Sequence, residues 1–384
     1  VRHGFRVRLR DIAPEPVQAG LAKVRETFAA LEKKKRLTRR ESANHLAAIT
    51  ATTSLDGFGD VGVVIEAVVE DLEIKKKVFR EIEARVPREA LLASNTSSLS
   101  IAEMQRALEH PERFLGLHFF NPVERMPLVE VVVGPQTADE AAARAEALAR
   151  RLGKLPIRVK DGPGFVVNRL LSPYLNEAAR LFEEGCTPAA VDVVLREFGM
   201  PVGPFELLDE VGLDVAAKVA GVLHAAFGAR AAPPETLGRI LAVPGLRGKK
   251  TGKGFYLHSR KGGKPSPNPE VLRFQGPRRE PQDPPEVWVK RLIYPMIDEA
   301  ARVLEERIVE RPSDVDLAMV LGTGFPPFRG GLLRHADTVG VGEVIAFLQA
   351  VSSARRSPCD LLLRLKSEGA NFYSLERETV GALT

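Results

Sequence analysis

At 384 residues, with 44% hydrophobic and 27% charged side chains, the chain is long enough for two or three domains with cores of their own and has an ordinary globular balance. The net charge of +5 is mild and aromatics make up only 6%; basic clusters at 33–40 and 245–254 carry no interleaved stacking residues, which argues against nucleic-acid binding but leaves a phosphate-bearing ligand open. Two cysteines, Cys186 and Cys359, exclude a disulfide framework and fit a reducing compartment, taken as the cytoplasm; no Cys/His cluster has zinc spacing, and no apolar run reaches membrane-spanning length.

The chain opens on Val rather than Met and carries no signal-peptide pattern, so it reads as starting part-way through a longer sequence. "FRVRLRD" alternates apolar and basic residues, a strand ending in Asp11. A helix is expected from about Pro16 to Leu37, and a second after the start signal "LTRRE" near Thr38. "DVGVVIEAV" (60–68) is a nearly continuous apolar run, the mark of a buried parallel strand. An amphipathic helix, "DLEIKKKVFREIEARV", and another buried strand, "ALLASN" (90–95), follow it. Next come a helix ("SIAEMQRAL"), two strands ("FLGLHFF" and "PLVEVVV") and a helix ("TADEAAARAEALARRLG"). Strands alternating with helices indicate a doubly wound α/β domain over 1–161.

From "GFVVNRLLSPYLNEAARLFEEG" onward helical periodicity takes over until about Tyr256, defining a domain over 162–260. A Pro-, Gly- and charge-rich stretch reads as a linker over 261–285, and a second helical region occupies 286–384. The two helical regions repeat each other: "NRLLSPYLNEAARLFEEG" (168–185) matches "KRLIYPMIDEAARVLEER" (290–307), "VDVVL" matches "VDLAM", and "GMPVGPFELLD" matches "GFPPFRGGLLR".

Several residues carry candidate chemistry. Asp11, at the end of a strand, is placed to accept from an adenosine ribose, although turns favour Asp for reasons of their own. The strand, G-x-G-x-x-G turn and helix expected ahead of it are not in this reading, so the α/β domain lacks its first strand and glycine-rich loop. "SNTSSLS" (94–100) leaves a buried strand, and its hydroxyls serve either as helix caps or as ligand contacts at the carboxyl edge of the sheet. His118 and Glu130 each sit alone in an apolar strand. One reading is a core histidine satisfied by a backbone carbonyl; the other is a His–Glu dyad in which the carboxylate orients the imidazole and stabilises its protonated form.

"SNTSS", "GLHFFNP", "LVEVV", "DGPGFVVNRLL", "MPVGPFELLDEVGLD" and "GKKTGKGFY" together resemble the 3-hydroxyacyl-CoA dehydrogenases, in family order and spacing from Phe5 to about Tyr256. The second helical copy, with its "PCDLL" and "FY" tail, is similar to the bacterial multifunctional β-oxidation α subunit, in which the dehydrogenase follows an enoyl-CoA hydratase/isomerase region. The resemblance implies a Rossmann-like domain followed by two tandem all-α domains like the C-terminal domain of 6-phosphogluconate dehydrogenase. It implies NAD as cofactor, an acyl-CoA substrate, and thiolase and hydratase partners. By that likeness His118 matches the catalytic base, Glu130 its carboxylate partner, Ser97 the serine on the substrate oxygen near the nicotinamide, and Asn168 the active-site asparagine. Asn121 shapes the site, Asp11 matches the ribose-binding acid, and Glu70 and Lys75 match positions near the cofactor. Lys290 replaces Asn168 in the second copy, which therefore reads as a structural, built-in dimer partner. The competing reading is an inactive fragment or a non-catalytic acyl-CoA-binding scaffold.

Overall fold

The computed structural model describes residues 1–259, 263–277, 283–351 and 357–381, and for 377–381 the backbone only. They fall into two compact units. Unit 1 comprises Val1–Thr96, Ile101–His118 and Val133–Pro156; unit 2 comprises Ser97–Ser100, Phe119–Val132 and Ile157–Thr384.

Unit 1 is α/β. It runs through β1 (Val7–Arg10), α1 (Pro14–Lys33), α2 (Arg39–Ala47), β2 (Ile49–Thr52), β3 (Val63–Glu66), α3 (Leu72–Glu83), β4 (Leu91–Ser94), α4 (Ile101–Gln105), β5 (Phe114–Phe119) and α5 (Asp139–Arg151). β3, β4 and β5 are successive parallel neighbours, with Val63 opposite Leu91 and Leu92 opposite Phe114. β1 and β2 pair in parallel as a sheet of their own. The capping box expected near Thr38 is present: its hydroxyl accepts from Glu41 N, and the Glu41 carboxylate accepts from Thr38 N at 2.8 Å. α3 starts where the Asp71 carboxylate accepts from Ile74 N, and it buries Lys75, Phe79 and Ile82 at helical spacing. Phe79 meets Phe114 edge-on at 4.7 Å, which fastens α3 to β5.

β2 departs from the sequence reading. "ITAT" is only four residues long and follows α2 after one residue, too short a stretch for periodicity to separate from the end of the helix. Its β-branched side chains nonetheless suit an extended partner for β1 better than another helical turn.

Unit 2 holds most of β6 (Leu128–Val133) and β7 (Leu155–Lys160), then the helices. The first copy is α6 (Val167–Glu183), α7 (Pro188–Phe198), α8 (Pro204–Val211), α9 (Leu213–Phe227) and α10 (Glu235–Leu241), closed by β8 (Tyr256–Leu257), β9 (Ser266–Pro267) and α11 (Pro269–Leu272). The second is α12 (Pro285–Glu305), α13 (Pro312–Thr323), α14 (Leu332–Val339), α15 (Val341–Val351), α16 (Asp360–Glu368) and α17 (Phe372–Gly381).

Hydrogen bonding proves the duplication. In the first copy the buried Asp192 accepts from Phe205 N (2.9 Å), Glu206 N (3.2 Å) and the Tyr256 hydroxyl (2.6 Å). In the second, Asp316 accepts from Leu333 N (2.6 Å), Arg334 N (3.0 Å) and the Tyr373 hydroxyl (2.7 Å). Burial pushes both carboxyls up to about 6. Asp209 holds the N–H groups of Phe255 and Tyr256 as Asp337 holds those of Phe372 and Tyr373. These clasps show where the repeat shifts in the loop. Gly199 and Gly324 do correspond as left-handed C-caps of α7 and α13. The residue before α8 is Gly203, however, and its counterpart is Gly331, because each abuts its clasp aspartate where a Cβ has no room. The second copy therefore has the longer loop.

The segment read as a linker is folded where it is described. Asn268 is 2% exposed and donates to Gly254 O at 2.8 Å, Val271 is buried, and Gly276 N donates to Phe182 O. Gly276 lies so close to the carbonyl of Glu183 that no Cβ fits. Residues 261–262 and 278–282 of that expectation lie outside the described residues.

Between the copies, Phe198 meets Phe325 at 5.9 Å and His335 at 5.4 Å, with Arg329 4.0 Å over the Phe198 ring. Burial, aided by Arg329, pulls the His335 imidazole down from 6.5 to about 4. The unfolded chain therefore binds a proton that the folded chain refuses, and stability from this residue is lost as pH falls from 6.5 toward 4. Replacing His335 with Leu should flatten the acid side of the stability profile by up to about 3 kcal/mol relative to the parent. Urea melts at pH 7 and pH 4.5 check it, and parallel losses in both proteins would refute it. The clasp aspartates titrate with the opposite sign in this window, so the informative quantity is the difference between the two proteins.

Candidate active site

Two groups of the expected residues are organised, one in each unit. In unit 1 they lie at the carboxyl ends of the parallel strands, where open α/β sheets bind ligands. Glu66 ends β3 and is 4% exposed. Its Oε1 accepts from Val68 N (2.5 Å) and Lys75 Nζ (2.7 Å), and its Oε2 from the Ser94 hydroxyl (2.7 Å). Lys75 is fully buried and also reaches Glu70 at 3.3 Å, while the Thr96 hydroxyl donates to Glu70 Oε1 at 2.6 Å. Two carboxylates thus share one ammonium, a geometry in which burying the charges is offset by direct pairing. Sequence reasoning named Glu70 and Lys75 but missed Glu66. The available signal was an acid closing an apolar strand, with a lysine nine residues on and a helix starting between them.

Asp11 follows β1 and is exposed. Its Oδ1 accepts from Ile12 N at 2.7 Å, and among the described residues no hydrogen bond or ion pair joins it to the Glu66–Glu70–Lys75 group. The loops after β1 and β3 expose apolar side chains beside these acids: Ile12 at 80%, Val69 at 65% and Val68 at 40%. An exposed carboxylate for a ribose and apolar surface for a purine are the donor set a dinucleotide's adenosine half needs, so unit 1 fits NAD at that end. "GFGDVG" (57–62) has glycines at the fingerprint spacing but leads into β3 rather than from a strand into a helix. It therefore offers no helix N-terminus to a pyrophosphate.

In unit 2, Glu130 sits within β6 and is fully buried. Its Oε1 accepts from Val166 N at 3.1 Å and Val167 N at 3.0 Å, the orphan donors at the start of α6. The turn before α6 makes this possible. Gly164 (φ 72°) and Phe165 (φ 50°) are both left-handed, and they aim the next two N–H groups at the carboxylate. A Cβ on Gly164 would come within 2.9 Å of Leu223 and 3.2 Å of Arg169 N, which accounts for the glycine in "DGPGF". Phe165 bears its strained conformation fully buried, the kind of cost that concentrates at working sites. A carboxylate at a helix N-terminus also meets the positive end of the helix dipole.

Asn168, in the first turn of α6, donates through Nδ2 to the carbonyl of Ser97 at 3.1 Å, which ties Ser97 to the same helix end. The Ser100 hydroxyl donates to Asp161 at 2.8 Å. His118 lies on β5 in unit 1, 6% exposed, and Asn121 follows in the loop before β6. Unit 2 therefore joins Ser97 to Asn168 and seats Glu130 on α6, and unit 1 joins Glu70 to Lys75; Asp11 stands by itself. In the second copy the Asn168 position is Lys290, which pairs with Glu343 at 2.6 Å. Among the described residues no group of three or more His, Cys, Asp or Glu could hold a metal ion.

The family model described as 3-hydroxyacyl-CoA dehydrogenase, NAD binding domain matches residues 1–162. The model described as 3-hydroxyacyl-CoA dehydrogenase, C-terminal domain matches 164–258 and again 288–371, once on each helical copy. Among solved structures, 3-hydroxybutyryl-CoA dehydrogenase of Escherichia coli K12 is 27% identical at a TM-score of 0.83, over 94% of this chain and 93% of its own. (S)-3-hydroxybutyryl-CoA dehydrogenase of Ralstonia eutropha is 40% identical at a TM-score of 0.65, over 67% of this chain and 92% of its own. The dehydrogenase part of multifunctional enzyme 1 of C. elegans is 26% identical at a TM-score of 0.64, over 94% of this chain and 84% of its own.

Proposed function

The chain belongs to the 3-hydroxyacyl-CoA dehydrogenases, NAD-dependent oxidoreductases, and from that premise we propose that it oxidises (3S)-3-hydroxyacyl-CoA to 3-ketoacyl-CoA in fatty-acid β-oxidation. The observation that carries this reading is the seat of Glu130 on the N–H groups of Val166 and Val167, with Asn168 bound to Ser97 on the same helix end. NAD, when bound, accepts the hydride from C3 of the substrate. Asp11 holds the adenosine ribose, and the Glu66–Glu70–Lys75 group shapes the surface beside it. Ser97 and Asn168 hold the substrate oxygen. His118 takes the hydroxyl proton as the C–O bond becomes a carbonyl, and Glu130 stabilises the imidazolium that results.

The division of labour follows the sequence reading: 1–161 for the cofactor, 162–260 for the substrate side, 261–285 connecting, and 286–384 as the non-catalytic duplicate. The likeness to the dehydrogenase part of a multifunctional enzyme supports a setting in which an enoyl-CoA hydratase region supplies the substrate; the sequence resemblance adds a thiolase that consumes the product, and the lack of a disulfide framework favours the cytoplasm. Among the described residues no single helix is long and apolar enough to cross a membrane.

Glu130→Gln tests the assignment. The amide oxygen still accepts both N–H groups, so the fold should hold, while loss of the charge removes roughly 1.5–3 kcal/mol of stabilisation from the imidazolium. Oxidation of 3-hydroxybutyryl-CoA should fall on the order of 10–100-fold in kcat, followed as NADH formation. Full turnover in this variant would remove Glu130 from the mechanism.

A further inference from the structure

We infer that the second helical copy is a working part of the proposed active site, acting through a carboxylate clamp on Arg169 that fixes the first turn of α6. The inference rests on the roles proposed above for Asn168 and Glu130.

Arg169 directly follows Asn168 and is 2% exposed. Its Nε donates to Glu299 Oε1 at 2.7 Å, and its two terminal nitrogens grip Glu306 at 2.6 and 2.8 Å in a bidentate fork. Both acids come from α12 and its C-cap, in the second copy. Arg230 of the first copy lies 3.4 Å from Glu299 and 3.8 Å from Glu306, so two guanidiniums face two carboxylates. The Phe227 ring sits 4.5 Å from Arg169 and 4.4 Å from Arg230. A bidentate fork on a buried guanidinium defines both position and orientation of the residue it holds.

Two further contacts converge on the same stretch of chain. Lys160 N donates to Ile308 O at 2.8 Å, just ahead of the "DGPGF" turn. On α13, a Cβ at Gly322 would meet Leu128 at 2.9 Å and Val167 at 3.0 Å, the residue that opens the Glu130 strand and a residue whose N–H holds Glu130. The second copy therefore presses on the segment from 160 to 169 at both ends and in the middle.

The fold supplies its own control. The repeat pairs Arg169 with Arg291, Glu299 with Glu177 and Glu306 with Glu184. Arg291 is held by Glu184 at 2.6 and 2.7 Å and approaches Glu177 at 3.5 Å. The two clamps are reciprocal, as in an isologous interface folded into one chain. Only the Arg169 clamp adjoins an asparagine, because Lys290 precedes Arg291. Arg169 is thus a positioning residue, and Arg291 its structural twin without a site to position.

The experiment compares Glu306→Gln with Glu184→Gln in the full chain. Amide hydrogen exchange is read over residues 164–170 by mass spectrometry, alongside melting temperature and the kcat and KM for 3-hydroxybutyryl-CoA and NAD. Both variants should melt lower. Only Glu306→Gln should speed exchange at 164–170, and only it should lose kcat, about tenfold or more, with the KM for NAD unchanged. Unchanged exchange at 164–170, or equal acceleration in both variants, would overturn the clamp. A parent chain that turns over no substrate would count against the dehydrogenase reading instead, and the exchange comparison would still decide this one.

Discussion

Replacing His118 with glutamine should lower the rate of (3S)-3-hydroxybutyryl-CoA oxidation by about 10²–10⁴ while leaving the melting temperature close to that of the parent. Glutamine fills a similar volume on β5 and keeps a polar end, so the buried site is not emptied. What it cannot do is accept a proton at neutral pH. The bland alternative, a core histidine bonded to a backbone carbonyl, makes the opposite forecast: stability falls and the residual rate does not. Measuring kcat from NADH formation together with a thermal melt separates the two. A variant that stays within a few-fold of the parent rate would end the assignment of His118 as base.

The second large effect is on stability. Lys75→Met should cost about 3–5 kcal/mol, because the ammonium lies buried between Glu66 at 2.7 Å and Glu70 at 3.3 Å, and methionine removes it without removing the Glu66 charge. Glu66 would keep only Val68 N and the Ser94 hydroxyl. The double variant Lys75→Met, Glu66→Gln should recover a substantial part of the loss, since the fully buried Glu66 charge is then removed with its partner, while Glu70 keeps the Thr96 hydroxyl and is partly exposed. Denaturant titrations of the single and double variants give the coupling directly. A loss below about 1 kcal/mol in Lys75→Met would show that the pair is solvated in practice and that the cluster does not brace the strand ends.

Much of the architecture is legible because buried strands are continuous apolar runs: β3, β4, β5 and β6 stand out from their neighbours. β2 is not legible, since "ITAT" is four residues long, carries no apolar run and depends on β1 for its definition. The segment from Ser266 to Gly276 fails for the converse reason. Its Pro and Gly content reads as linker, whereas its order comes from one buried amide, Asn268, and one buried Val271 docked on the first copy. In the candidate site, motifs pointed to His118, Glu130, Ser97 and Asn168 as candidates, but the reason for the glycine and the strained phenylalanine in "DGPGF" lies in the tertiary fold. Glu66 was hidden because a single acid at a strand end is a common turn residue. The Arg169 clamp joins residues far apart in the chain, so no local period could show it. The repeat did show that Arg169 and Arg291, and Glu299 and Glu177, occupy matching places; that they cross-pair is a tertiary fact.

The central claim is that this chain is an NAD-dependent dehydrogenase of (3S)-3-hydroxyacyl-CoA, and its most direct test is incubation of the chain with NAD and (3S)-3-hydroxybutyryl-CoA, with the (3R) epimer and with NADP as controls. The account predicts NADH formation from the (3S) substrate, little from the (3R) epimer, and a marked preference for NAD set by Asp11. Saturable binding of both ligands without any NADH formation would contradict it.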